Sequence, residues 1–140
     1  MKTEKLNEND KKIIKELKDN CKYSYSPYSG FKVSALLVTK SGKKYRGVNI
    51  ENASYGGTVC AERVAIFKAV SEGETEFEEI YLYVEDKSGN HPIVPPCGIC
   101  RQVMSEFSKD MKVVMIGENE KKEGKVKELL PFNFTEDYLK

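Results

Sequence analysis

Net charge is almost absent from this sequence: 23 Lys and Arg face 22 Asp and Glu, leaving +1. Binders of duplexes and other polyanions carry a basic excess, so no nucleic-acid partner is expected. Long apolar runs are also missing. The strongest, ALLV at Ala35 to Val38, falls far short of the roughly 20 residues that cross a bilayer, so no membrane span is expected. The opening MKTEKLNENDKK mixes charges of both signs with no apolar segment behind them, unlike a secretory signal, and a cytoplasmic location is expected. Repeats, low-complexity blocks and linkers are lacking too. One domain spanning residues 1–140 is therefore expected, long enough to bury a core. Cysteine is scarce, with four in all. In a reducing compartment these are not expected to pair as disulfides, which leaves metal binding, catalysis or packing.

What is present alternates between two periodicities. Ile13, Ile14 and Leu17 recur at helical spacing among charged residues, so residues 8–20 read as an amphipathic helix with Asn7 or Asn9 as its cap. The stretch YSYSPYSGF, with Pro27 and Gly30, reads as a turn-rich break. KVSALLVT and KYRGVNIE flank Ser41-Gly42 and read as a β-hairpin. Ala61, Val64, Phe67 and Val70 return to helical spacing up to a stop at Gly73. EEIYLYVE and MKVVMIGE read as strands, CGICRQVMSEFS as a helix between them, and the middle of KVKELLPFNF as helical. Strands alternating with helices predict an α/β fold, a mixed sheet covered by helices.

Cys97 and Cys100 form a CxxC behind Pro95-Pro96, which enforce an extended approach and then permit a helix to begin. Two cysteines three apart in a first helical turn share a face, and the helix N-terminus favours their thiolates. Catalytic zinc takes three protein ligands and keeps one position open, so this pair needs one more. Cys60, at the start of the other helix, supplies it, and the site would then sit at two helix N-termini. Other readings stay open on the residues alone. CxxC also occurs as a redox pair or as half of a closed structural zinc site, with Cys21 or His91 as the fourth ligand. Base rates favour Cys21 as a buried packing residue and His91 as a loop residue. Glu62 separates the alternatives. A carboxylate two residues after a ligand can lean over the open metal position and move protons there, whereas a structural site gives it no task.

CAE at Cys60 to Glu62 and PCGIC at Pro96 to Cys100 match the signature of the zinc deaminases in its three-cysteine form. With YSPYSGFKVSALL, GVNIENASYGGTVCAER, PCGICRQ and LLPFNF, the whole chain resembles the small cytidine deaminases. That resemblance implies a mixed β-sheet sandwiched by helices and one zinc ion per chain on Cys60, Cys97 and Cys100. It implies Glu62 as proton shuttle, Asn49 and Glu51 on the ribose hydroxyls, and Phe31 beside the base. The Ala61 backbone and the Pro95 carbonyl would meet the pyrimidine edge and amine. Phe134 would reach a neighbouring subunit's site in a homotetramer. Arg63 and Arg101 would hydrogen-bond the thiolates and offset their charge. The implied reaction is hydrolytic deamination of cytidine and 2′-deoxycytidine to the uridines and ammonia, a pyrimidine-salvage step.

Three positions depart from the family pattern: Ser34 stands where glycine is usual, Gly57 where a larger residue is usual, and Phe132 where a smaller one is usual. Phe132 thus competes with Phe134 for the inter-subunit role. The rival enzyme on this scaffold is a blasticidin S deaminase, whose substrate also carries a cytosine; the non-enzyme rival is a zinc-stabilised module.

Overall fold

Ile13 and Leu17 lie about one helical turn apart and are both buried, in a helix, α1 (Glu8–Asn20). Its start is fixed by Asn7, whose side chain accepts from the Asp10 amide at 2.8 Å while the Asp10 carboxylate accepts from the Asn7 amide at 2.9 Å. This reciprocal capping box satisfies amides that the first turn leaves unpaired. The structure is a computed structural model that describes residues 1–140.

One six-stranded sheet carries the chain. Its strands are β1 (Lys2–Lys5), β2 (Lys32–Thr39), β3 (Lys44–Val48), β4 (Phe77–Glu85), β5 (Lys112–Ile116) and β6 (Glu120–Lys125). They run in the order β1-β6-β5-β4-β2-β3, with β4 and β5 parallel and every other pair antiparallel. Side chains alternate across the sheet. Ala35, Leu37, Leu82, Val113 and Met115 face α2 (Ala61–Ser71), α3 (Gly98–Phe107) and α4 (Val126–Leu129), whereas Leu36, Tyr81, Tyr83, Val114 and Ile116 face α1. Both faces are therefore apolar and covered, which explains why the central strands read as nearly continuous hydrophobic runs. The expected α/β sandwich, with its mixed sheet, is the fold observed.

Two strands were not legible. β1 and β6 carry KTEK and EKKEGK, which show neither β-branched enrichment nor apolar alternation. Their register sets Lys2 opposite Glu123, Glu4 opposite Lys121 and Lys5 opposite Glu120. The backbone ladder holds this edge of the sheet, and its buried cation, Lys121, pairs with Asp10 of α1 and with Glu123 of its own strand. A third difference is the second hairpin strand, which ends at Val48 and not at Glu51. Asn49 terminates it: its Oδ1 accepts from the Val33 amide at 2.9 Å, so a side chain replaces the backbone acceptor of the ladder. The turn between β2 and β3 is as expected, with Gly42 at φ 90°, a conformation that favours glycine.

Candidate active site

The parallel crossover from β4 to β5 passes through α3, and α2 lies beside it on the same face of the sheet. Cys60 is the N-cap of α2 and Cys97 the N-cap of α3, both in extended backbone and neither making a side-chain cap hydrogen bond to the first turn of its helix. The two sulfurs are therefore free to face each other. They lie 3.7 Å apart. Cys100, in the first turn of α3, completes a trio whose sulfurs all lie within 4.8 Å of one another.

Zinc suits this donor set. With Zn–S bonds of about 2.3 Å, a tetrahedron has S···S edges of roughly 3.8 Å, which matches the Cys60–Cys97 separation of 3.7 Å. No fourth His, Cys, Asp or Glu joins the cluster. Cys21 is only 3% exposed and packs with Leu17 and Tyr83 on the α1 face of the sheet, opposite the trio. His91 stacks on Tyr83 with ring centroids 4.8 Å apart, and its Nδ1 lies 2.9 Å from the Val84 carbonyl. The closed structural site is thereby set aside.

The thiols share charge unequally. Cys60 is drawn down to about 5 by the hydrogen bond from Cys100, with help from Arg63 and Cys97 and against its burial. As the donor in that pair, and buried as well, Cys100 moves upward. A proton held between two sulfurs is what a divalent cation displaces on binding. The Arg63 guanidinium reaches the Cys60 sulfur at 3.4 Å, while its Nε is buried without an acceptor. Arg101 behaves differently from expectation. Its Nε donates to the Pro96 carbonyl at 2.8 Å and its Nη1 to the Leu129 carbonyl at 2.8 Å, so it braces the approach to Cys97 and the start of the tail; its hydrogen bonds go to carbonyls, not to sulfur.

Glu62, in the first turn of α2, is 4% exposed. Burial is the main cause that lifts its carboxyl above the ordinary range, and the negative Cys60 adds to it. A carboxyl so placed changes protonation nearer neutral pH, as a proton shuttle requires.

Glu62, Cys60 and Cys97 line a hollow of about 200 Å³ with Phe31, Asn49 and Pro95, and its remaining walls are largely apolar. Pockets for whole drug-sized ligands run to about 300–1,000 Å³, so this one suits a single ring. Thr58 belongs also to a second, more open hollow of about 390 Å³, lined by Tyr28, Ser29, Glu51, Asn52 and Tyr55. Neither hollow contains a Lys or Arg. A flat apolar ring can thus sit against the metal corner with a polar appendage running past Thr58 toward Glu51.

The site gathers most of the expected residues. Phe31, Asn49, Pro95 and Glu62 meet in one hollow and Glu51 lies in its neighbour, while Ala61 is buried at the helix start between Cys60 and Glu62. Phe134 stays outside, stacked on Tyr138 at 5.8 Å. Phe132 is 98% exposed, with φ at 49°. Ser34, which departs from the family pattern, is buried and accepts from the Asn20 Nδ2 at 3.1 Å, so its hydroxyl is satisfied. Sequence reasoning passed over Ser24 and Ser29. Their hydroxyls reach Asn49 and Glu51, and the only signal was the crowding of serines in a segment read as a turn.

Residues 7–118 match the family profile described as the cytidine and deoxycytidylate deaminase zinc-binding region. The chain is 46% identical over 125 residues to a cytidine deaminase of Halalkalibacterium halodurans, covering 88% of this chain and 92% of the relative. It resembles the crystal structure of cytidine deaminase from Burkholderia pseudomallei with a TM-score of 0.80 and 39% identity, covering 92% of this chain and 100% of that one. A blasticidin-S deaminase of Bacillus cereus is more distant, 29% identical over 139 residues, with 96% and 99% covered.

Proposed function

The chain belongs to the cytidine and deoxycytidylate deaminase family, and from that premise we propose that its substrates are free nucleosides, cytidine and 2′-deoxycytidine, with no phosphate attached. It is a zinc-dependent hydrolase that deaminates cytidine, releasing uridine and ammonia. The observation that carries the nucleoside reading is a three-sulfur corner opening onto a ring-sized hollow beside Glu62, with no cation in either hollow to receive a phosphate.

Cys60, Cys97 and Cys100 would hold the zinc, which would supply the Lewis acidity that makes water deprotonable near neutral pH. Glu62 takes a proton from the water that attacks C4 and passes it to N3 of the ring; it then takes the second proton from the new C4 hydroxyl and delivers it to the amine, which leaves as the C4–N bond breaks and the C4 carbonyl forms. Phe31 and the apolar walls hold the base and exclude bulk water. Pro95 and the Ala61 backbone face its polar edge. The sugar lies toward Asn49 and Glu51, an amide and a carboxylate that together can donate to and accept from a hydroxyl.

The active assembly in this reading is a homotetramer with its sites at subunit interfaces. In its support, Phe132, Phe134, Tyr138 and Leu139 form an exposed apolar tail with no partner surface in the single chain. In this reading the setting is cytoplasmic, where thiols stay reduced for metal, and the reaction is a pyrimidine-salvage step. The test follows ultraviolet absorbance with zinc-quantified protein on cytidine, 2′-deoxycytidine, cytidine 5′-phosphate, blasticidin S and a cytosine-containing oligonucleotide. Turnover of the two nucleosides alone is expected. Turnover of blasticidin S in their place moves the assignment to the resistance enzyme, and preference for the phosphate or the oligonucleotide contradicts it.

A further inference from the structure

Resting on the reading of a nucleoside site, we propose that Ser29 is a positioning residue whose hydroxyl couples the base side of the site to its sugar side. Ser29 Oγ donates to Glu51 Oε2 and accepts from the Phe31 amide at 3.0 Å. The amides of Tyr28 and Ser29 donate to Glu51 Oε1 at 3.0 and 3.1 Å. On the other side of Phe31, its carbonyl accepts from Asn49 Nδ2 at 2.7 Å. Phe31 is thus held at its amide by Ser29, which in turn bonds Glu51, and at its carbonyl by Asn49.

The valence count fixes what remains for a ligand. Asn49 Oδ1 already accepts from the Val33 amide at 2.9 Å and from Ser24 Oγ at 2.5 Å, so Asn49 has one N–H left to give. Glu51 Oε1 is filled by two amides, and Oε2 keeps a lone pair beside Ser29. This leaves one donor on Asn49 and one acceptor on Glu51 for the sugar hydroxyls. Ser29 decides where the free lone pair of Glu51 points. Without that bond the carboxylate would be anchored only through Oε1 by the two amides, and its Oε2 would have to be ordered when the nucleoside arrives, which costs affinity. Consistent with this, the hydrogen bond from Ser29 is the chief cause that holds the Glu51 carboxyl below its ordinary range. Ser29 is exposed, and the hydrogen bonds of its hydroxyl go only to Glu51 and Phe31, so its side chain has no part in the core.

The experiment compares steady-state kinetics of the wild type, Ser29→Ala and Ser29→Thr on cytidine and on 2′,3′-dideoxycytidine, which lacks both ring hydroxyls, with zinc content and melting temperature measured alongside. Loss of a charge-assisted bond that only pre-orients a binding group should raise KM for cytidine about tenfold in Ser29→Ala and leave kcat within about twofold. The dideoxynucleoside should feel a smaller effect, threonine should restore the cytidine KM, and zinc and melting temperature should not move. An unchanged KM for cytidine, or equal losses on both nucleosides, overturns the proposal. A wild type inactive on both overturns the nucleoside reading itself and takes this proposal with it.

Discussion

Gly47 lies directly against Ala61. A Cβ at Gly47 would collide with the Ala61 carbonyl oxygen and stand 2.6 Å from the Ala65 amide nitrogen. Strand β3 can approach the first turn of α2 only because nothing projects there. That turn carries Glu62, and Cys60 caps it.

Gly47→Ala should therefore damage both stability and site. Forcing a methyl into a packed contact typically costs about 1–3 kcal/mol, and here the displaced atoms are backbone of the helix that presents Cys60 and Glu62. The urea midpoint should fall by a corresponding amount and activity should fall with it. Gly56, where an added Cβ meets nothing within 4 Å, is the control: Gly56→Ala should stay within about 0.5 kcal/mol. Equal behaviour of the two variants would show that the contact is not needed.

Alkaline pH should weaken the fold through groups on the α1 face. Burial, with the Glu85 charge adding to it and Lys32 opposing, pushes the Cys21 thiol up to about 11. Burial pulls Lys121 down, but its bonds to Asp10 at 2.9 Å and Glu123 at 3.0 Å outweigh that and raise it. Both folded-state values stand above the unfolded ones, so each contribution is complete below the unfolded pKa and is lost as pH climbs through the folded one. For Cys21 the window opens near an unfolded value of about 8.5 and closes near 11. Urea midpoints between pH 7 and about 11 should decline over this range, and Cys21→Ala should decline less steeply. Lys121→Met, which strands Asp10 as a buried unpaired charge, should cost about 3–5 kcal/mol at neutral pH.

Arg101 predicts a metal phenotype without contact to sulfur. Its two carbonyl bonds tie Pro96, just before Cys97, to Leu129 at the end of α4. Groups that orient a ligand from behind typically change metal affinity about 10- to 100-fold. Arg101→Ala should lose zinc to a chelator that much more readily, whereas the exposed Lys109→Ala should match the wild type. Identical zinc affinity in Arg101→Ala would remove its bracing role.

The central sheet was legible because its strands are buried on both faces, so Val113 to Ile116 and Ile80 to Val84 carry the apolar signal themselves. The metal trio was legible because helix starts bring residues distant in sequence to one point, and Pro95-Pro96 mark one of those starts. β1 and β6 were not, since KTEK and EKKEGK are polar strands joined through backbone pairing that no local side-chain pattern announces. Nor did the residues disclose that Arg101 would turn to carbonyls while Arg63 took the sulfur: both follow a ligand closely, and only the path of the tail past α3 tells them apart. Ser29 escaped for a similar reason. Its partner Glu51 lies 22 residues away, brought near when the strand breaks off at Asn49.

The central claim is an open three-thiolate zinc site served by the Glu62 carboxyl, and Glu62→Gln tests it most directly, with zinc content and cytidine turnover measured on the same preparation. Glutamine keeps the shape and cannot shuttle protons. The account predicts one zinc per chain, as in the wild type, and a loss of kcat of at least about 10²- to 10⁴-fold. Full activity with zinc retained would contradict it.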